Sequence, residues 1–402
     1  MSLGDSWNYI GEGNAHIVIE LLNTNYVLRL RKENGERFGL DSMQKSVDFV
    51  NLVMIPLLFS GKINVNQIVE IPPEQLRELT NKLCNLRPEH RKCKSIINNY
   101  AIKSTNLTMV TLNTSKNYCI EIKPKEGYIT ASFKKISMCY YCLKQYLKCE
   151  QGEIDNVSKY CPLDLFSADK TRMRSALLNL IDNPQNNFKL FLNGNVIYSE
   201  QSMRTDFDDI LRDMVLFNNS LELFLNFIIE ILLGNQYSSN IVVNESDKLV
   251  MADHQMKHCV ESNNMVPSSI LHKLLQLQKL SENKDIYVNT ENNDYDYVES
   301  ILKNLELNAM DLSIEEDKEK FLSLCEPEHL AMISAVAKDC SIMISFTPDY
   351  DSNFPYIEIR GRKISYRLSV TDLEPKSTKT LLKRKDTETK LLNIYKKSLE
   401  SK

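Results

Sequence analysis

The stretch Cys119-Ile120-Glu121-Ile122-Lys123-Pro124-Lys125 decides how this chain is read. An apolar strand ends on a proline flanked by two lysines. Proline fixes its own φ and lacks an N–H, so it cannot extend a central strand. It also pushes the preceding residue into an extended conformation. The segment is therefore a strand running into a rigid connector that aims two ammonium groups. Two fixed cations at a strand end suit phosphate, and they are equally an ordinary way for a chain to leave a sheet. The stretch alone leaves both readings open.

Working outward, residues 7–32 read as a β-hairpin region. Strand-like Trp7 to Ile10 runs into Gly11-Glu12-Gly13, and Ile17 to Ile19 is followed by a polar turn and then Val27 to Lys32. Leu28 and Leu30 point to one face, Arg29 and Arg31 to the other. A helix is expected over Ser42 to Val53 and another after Pro72-Pro73, with the 117–123 strand returning to the same sheet. Beyond Tyr128, a helix is expected at 135–149, and Ser167 is the expected N-cap of a helix running through Ile181. Pro184 stops that helix. Phe188 to Leu192, Asn193-Gly194 and Asn195 to Tyr198 give a hairpin with a type I′ turn. Residues 207–234 read as helix, 235–265 as an insertion and 282–320 as acidic, exposed helix and loop. A helix follows Pro327, strands are expected at 341–346 and 364–371, and the lysine-rich tail ends in a helix. The fold class is α+β in two lobes: 1–122, a connector at 123–127 acting as hinge, and 128–402 with a variable insertion at about 235–325.

Composition limits the function. The 402 residues carry a net charge of −4, so no global basic field marks a nucleic-acid binder. Any anion site must come from local convergence of Lys and Arg. The apolar run Leu221 to Leu233 is broken by Glu222, Asn226 and Glu230, too short and too polar to span a bilayer. Ten scattered cysteines and no signal pattern at the N-terminus give the expectation of a reducing, intracellular compartment.

Several residues could carry chemistry. Gly11-Glu12-Gly13-Asn14-Ala15-His16 offers glycines through which backbone N–H groups can approach phosphate. His16 stands where a third glycine of G-x-G-x-x-G would be, and a strand rather than a helix follows, which disfavours a dinucleotide fold. A glycine turn followed by a strand bearing Arg29 is the layout that covers ATP phosphates in kinases. Asp339 and Asp372, each beside a strand end, are candidate acids. Phosphoryl transfer needs one carboxylate to accept the proton of the attacking hydroxyl and another to hold Mg²⁺, although an Asp at a strand end also forms turns. Pro184-Gln185-Asn186-Asn187-Phe188-Lys189 places amides where they could cap a helix or bind a ligand. Cys139-x-x-Cys142 is half a zinc site without a second pair at ligand spacing, and His254-x-x-x-His258-Cys259 would need another ligand to fold near it. Zinc is therefore not expected.

Together these segments resemble the inositol-pentakisphosphate 2-kinase family, in a fungal-type form. The resemblance rests on the glycine turn, Val27 to Lys32, Glu121-Ile122-Lys123-Pro124-Lys125, Pro162-Leu163-Asp164-Leu165-Phe166-Ser167, Pro184 to Lys189, Ala337 to Ile344 and Asp372-Leu373-Glu374-Pro375-Lys376. The blocks fall in the family's order over nearly the whole chain, while 200–330 matches poorly. The resemblance implies a two-lobed fold distantly similar to protein kinases. It implies transfer of the ATP γ-phosphate to the 2-hydroxyl of inositol pentakisphosphate, with ATP and Mg²⁺ as cofactors, a monomer, no direct nucleic-acid or membrane partner, and a nuclear or also cytoplasmic location.

It further implies that Gly11, Glu12, Gly13, Asn14, Ala15 and His16 cover ATP, which Arg29, Lys123, Asn187 and Lys189 contact. Arg91, Lys125, Lys148, Asn186 and Lys376 would hold the inositide. Asp339 would be the base on its hydroxyl and Asp372 the Mg²⁺ ligand. The family's D-L-x-L-K-P is Asp372-Leu373-Glu374-Pro375-Lys376-Ser377 here, and Lys379 and Arg384 are candidates for tail contacts that do not align. A kinase for another inositol phosphate and a non-catalytic inositide-binding adaptor are the alternatives. Two carboxylates beside phosphate give a pure binder nothing.

Overall fold

A computed structural model describes residues 6–13, 15–32, 39–59, 66–94, 98–235, 259–262, 264–282 and 294–400. Asn14, His254 and His258 lie outside the described residues. Among those described, the chain forms two antiparallel sheets.

The first sheet is made of β1 (Trp7–Glu12), β2 (His16–Leu21), β3 (Tyr26–Arg31), β4 (Gln67–Glu70) and β5 (Tyr100–Thr105), in the order β1-β2-β3-β5-β4. Leu28 and Leu30 are fully buried, and with Ile17, Ile19 and Leu79 they form a small core. Three helices join these strands: α1 (Leu40–Asp48), α2 (Ile55–Leu58) and α3 (Pro73–Leu86), which starts on the expected proline. The helix expected over Ser42 to Val53 is real but changes pitch, α1 continuing as a π turn over Phe49–Met54 into α2. Phe49, Val53 and Met54 are buried in the large core of the second half, with Phe49 edge-on to Tyr297.

The second sheet runs β10-β11-β9-β6-β7-β8. Its strands are β6 (Tyr118–Ile122), β7 (Phe188–Leu192), β8 (Asn195–Tyr198), β9 (Ser341–Thr347), β10 (Tyr356–Ile359) and β11 (Arg362–Thr371). The strand at 117–123 thus does not return to the first sheet. It pairs with β7 and β9, because Ile120 and Ile122 are buried opposite Ile344 and Ile342. Burying such a side chain contributes roughly 1.5–3 kcal/mol, and truncating Ile344 to alanine would cost about 2–5 kcal/mol. Asn193 and Gly194 both adopt positive φ between β7 and β8, as the I′ turn requires.

The remaining helices are α4 (Tyr140–Glu150), α5 (Pro162–Leu165), α6 (Lys170–Asp182), α7 (Arg204–Asp213), α8 (Leu221–Leu232), α9 (Ile270–Lys279), α10 (Asp296–Leu307), α11 (Glu315–Leu324), α12 (Pro327–Ala337) and α13 (Lys379–Glu400). The N-cap of α6 is Asp169, which accepts from the Arg172 N–H at 2.9 Å, and not Ser167, whose hydroxyl turns back to the Asp164 carbonyl. α8 is buried on nearly all sides, and its buried polar members are paired: Asn226 accepts from Arg174, and Glu230 meets Lys170. The acidic segment is not wholly exposed, since Tyr297, Val298, Ile301 and Phe321 enter the core. Among the described residues no helix is long and apolar enough to cross a membrane.

Candidate active site

Strand register alone gathers the site. At one end of the second sheet Ile122 faces both Phe188 and Ile342, and Thr371 faces Ser341. β6 and β11 finish there, and β7 and β9 begin there. The residues just beyond those ends are therefore neighbours: Lys123 after β6, Asn187 before β7, Asp339 shortly before β9, and Asp372 after β11. The Lys123 N–H donates to the Asn187 carbonyl at 2.9 Å, extending the ladder by one rung.

Lys125 and Asp372 both adopt left-handed backbone conformations, with φ of 57° and 61°. Non-glycine residues take this conformation at a cost, and it persists where the surroundings over-determine it. The connector is held on all sides. Tyr160 donates its hydroxyl to the Pro124 carbonyl at 2.7 Å. Glu126 is buried and meets Lys338 at 3.3 Å and Arg384 at 2.7 Å. A Cβ on Gly127 would lie 2.4 Å from the Phe166 ring, so only glycine fits there.

Two cavities flank this strand end. The smaller, about 590 Å³, is lined by Gly11, Gly13, Val18, Val27, Arg29, Arg91, Lys123, Lys189 and Asp372. Lys123 lies 3.4 Å from Asp372, whose carboxylate is also 3.1 Å from the Ser341 hydroxyl. Burial pulls the Lys123 ammonium down, but Asp372 and Glu121 outweigh it and the net shift is upward. Arg29 pairs with Glu374, and Lys189 lies 3.4 Å from Glu121. Gly11 and Gly13 have ordinary φ, and a Cβ on either would meet no protein atom within 4 Å. The fold itself does not demand glycine there.

Glu12 also lines this cavity. Its carboxylate is buried between Lys32 at 2.7 Å and the fork of Arg87 at 2.9 and 3.0 Å, and Arg87 also donates to the Arg91 carbonyl at 2.5 Å. Glu12, expected with the rest of the turn to cover ATP, thus ties that turn to Lys32 and Arg87 through its carboxylate. His16 is buried and lines neither cavity; burial, then the nearby Arg29 and Arg31, keep its imidazole neutral. Ala15 is exposed.

The larger cavity, about 1460 Å³, is lined by Lys125, Lys144, Lys148, Lys338, Asp339, Lys376, Lys383 and Lys385, among others. Asp339 sits between Lys376 at 2.5 Å and Lys125 at 3.4 Å. Burial raises its pKa, but Lys376, Lys125 and Lys123 outweigh burial and hold it at about 2. Burial lowers Lys125, against the pull of Asp339. Asn186 lines both cavities. Asn187, expected beside the nucleotide, lines the larger one and donates to the Tyr141 hydroxyl at 3.0 Å. Arg91, expected on the inositide, lines the smaller. Lys148 lies 3.9 Å from Glu153. Of the two candidate tail residues, Lys379 pairs with Asp294. Arg384 is engaged by Glu126 and Glu388 and lies 3.8 Å over the Tyr140 ring. Lys144, Tyr141 and Glu126 escaped sequence reasoning because nothing local distinguishes them from ordinary helix and loop residues.

Behind the larger cavity, Cys139, Cys142, Cys161 and Cys259 bring their sulfurs within 4.8 Å of one another. This corrects the expectation that Cys139-x-x-Cys142 lacks partners. The missing pair comes from two separate loops, which no local spacing reveals. The neighbouring Cys139, Cys142 and Cys161 thiols push the Cys259 thiol below its ordinary range. Cys139 is the N-cap of α4, its sulfur accepting from the Cys142 N–H, and burial pushes its thiol up. Four sulfurs at this separation are the donor set of a closed tetrahedral site for a soft metal.

The family model described as inositol-pentakisphosphate 2-kinase matches residues 9–390. A zebrafish (Danio rerio) inositol-pentakisphosphate 2-kinase is 28% identical over 99% of this chain and 94% of its own length. One from Arabidopsis thaliana is 26% identical over 95% and 84%, and one from Cryptococcus neoformans is 27% identical over 48% and 52%. With the match running from the first sheet through α13 and across both cavities, the chain belongs to the inositol-pentakisphosphate 2-kinase family.

Proposed function

We infer that the chain transfers the γ-phosphate of ATP to the 2-hydroxyl of inositol 1,3,4,5,6-pentakisphosphate, giving inositol hexakisphosphate. The observation that carries this reading is the pair of adjoining cavities at one sheet end, each with its own lysine and its own carboxylate. ATP takes the smaller. The open space at Gly11 and Gly13 lets phosphate come close to the turn backbone, Val18 and Val27 offer an apolar wall, and Arg29 and Lys123 meet the phosphates. Asp372, an oxygen ligand facing this cavity, fits Mg²⁺, which keeps most of its shell for water and phosphate. The ion, when bound, neutralises charge on the β- and γ-phosphates.

The acceptor takes the larger cavity. Five phosphates carry roughly −8 to −10 charges, and Lys125, Lys144, Lys148 and Lys376 converge there from the connector, α4 and the segment after β11. Arg29, Lys123, Lys125, Lys148 and Lys376 each have a carboxylate partner in the structure, so a chain of net charge −4 keeps these cations paired until phosphate competes for them. That exchange has a chemical consequence at Asp339. Once acceptor phosphates recruit Lys125 and Lys376, the two cations that depress the Asp339 carboxyl turn away from it. Its pKa rises and it becomes a better proton acceptor for the hydroxyl. Arg91, which lines the smaller cavity, is assigned to the acceptor by the resemblance alone. The four-cysteine cluster is read as a structural zinc site that fixes the start of α4 and, through it, Lys144 and Lys148.

Incubating the protein with ATP, Mg²⁺ and a panel of inositol phosphates, and identifying the product by NMR, tests the reading. Phosphate should appear on the 2-hydroxyl of the pentakisphosphate. A product from a different acceptor assigns another inositol kinase, and binding without turnover assigns an adaptor.

A further inference from the structure

Gln278 lies on α9, in a part of the chain without a motif, and its side chain is completely buried. Its carbonyl oxygen accepts from the Gly127 N–H at 2.9 Å. Its amide nitrogen donates to the Lys125 carbonyl at 2.8 Å and to the Ala337 carbonyl at 3.1 Å. One N–H and two carbonyls as partners fix which way the amide points. The Gln278 backbone carbonyl in turn accepts from Ser334 on α12 at 2.6 Å. A single side chain therefore ties the connector to the end of α12, two residues before Asp339.

We propose that Gln278 is a positioning residue that holds Lys125 and Asp339 in register. The proposal rests on the reading of those two as acceptor-binding lysine and base. Lys125 keeps a left-handed φ of 57°, which is unfavourable for a non-glycine residue and needs an outside restraint. The bond from Gln278 to the Lys125 carbonyl is such a restraint, on the residue itself. The ATP side is secured separately, by the rung between Lys123 and Asn187. Losing the amide should thus disturb the acceptor and the base while sparing the nucleotide. Only glutamine meets the demands. Asparagine is one methylene too short to reach both the connector and the end of α12. Glutamate would present a carboxylate to two carbonyls.

The test uses the full chain with Gln278→Met, close in size but without hydrogen bonds, and Gln278→Asn. Steady-state kinetics should show KM for the inositol phosphate raised about 10-fold and kcat lowered about 10- to 100-fold, the scale of a small misplacement at a reacting centre. KM for ATP and the affinity for a non-hydrolysable ATP analogue should stay within about two-fold. An unchanged acceptor KM, or equal rises for both substrates, overturns the proposal. Should Gln278→Met fail to bind the analogue, Gln278→Asn decides by the same criterion. Loss of analogue binding in both variants also overturns it, since Gln278 would then serve folding in general. Lys125→Ala and Asp339→Ala run alongside. If neither affects the acceptor or kcat, the underlying site reading fails. If they do and the Gln278 variants do not, only the present proposal fails.

Discussion

The two cavities are built from the ends of the same strands, yet they arrange their charges differently. In the smaller, Asp372 meets one lysine at 3.4 Å and the Ser341 hydroxyl at 3.1 Å. In the larger, Asp339 is held between two lysines, the nearer at 2.5 Å. Pro124 separates the two arrangements and keeps Lys123 and Lys125, two residues apart, on different sides. A carboxylate that holds a metal needs an open face; one that accepts a proton late in the reaction can wait inside an ion pair that the substrate itself breaks. On the proposed function, Asp339, and not Asp372, is the group whose properties depend on the acceptor.

The largest expected effect breaks the contrast at its centre. Asp339→Ala should lower kcat by about 10²–10⁴-fold while lowering the melting temperature by only a few degrees, because its side chain is more than half exposed. A near-normal rate would remove Asp339 from the role of base. Metal removal comes next. Stripping the protein with a thiophilic chelator should lower the melting temperature by several degrees and raise KM for the inositide more than KM for ATP, since α4 carries lysines only to the larger cavity. Metal analysis of the purified protein finding no zinc would end the structural-site reading.

The pH dependence sharpens the comparison further. The Asp339 carboxyl is depressed to about 2, below the ordinary value of about 3.9. Its contribution to stability is therefore present above the unfolded value and is lost as pH falls through about 2. Lys376→Ala removes the nearer cation, so the Asp339 carboxyl should titrate closer to its ordinary value, and acid unfolding followed by circular dichroism should begin at higher pH. An unmoved acid transition would show that Lys376 does not control Asp339. The smallest effect concerns the glycine turn. Arg87→Met leaves Glu12 neutralised by Lys32, so the protein should fold, with KM for ATP raised about three- to five-fold as the turn loses one anchor. A change at or below two-fold would make that anchor dispensable.

Much of this was legible in the sequence for one reason: the site sits at strand ends. Strands announce themselves by alternation and by the proline, glycine and aspartate that stop them, so Lys123, Lys125, Asp339 and Asp372 stood out before any coordinates. What stayed hidden depends on contacts between distant segments. Cys161 and Cys259 join Cys139 and Cys142 only because two loops fold over the start of α4. Gln278 is one polar residue on an amphipathic helix, and its value lies in three backbone groups far away in sequence. The placement of β6 was misjudged because an apolar strand with polar flanks does not say which sheet it joins. That was settled by which isoleucines lay opposite it.

The division of labour across Pro124 is tested most directly by titrating Lys123→Ala and Lys125→Ala with an ATP analogue and with inositol pentakisphosphate in a calorimeter. Lys123→Ala should weaken the analogue by about 10-fold or more, the scale of a charge-assisted hydrogen bond, and the inositide by less than about three-fold. Lys125→Ala should do the reverse. Equal weakening of both ligands by either variant would contradict the account.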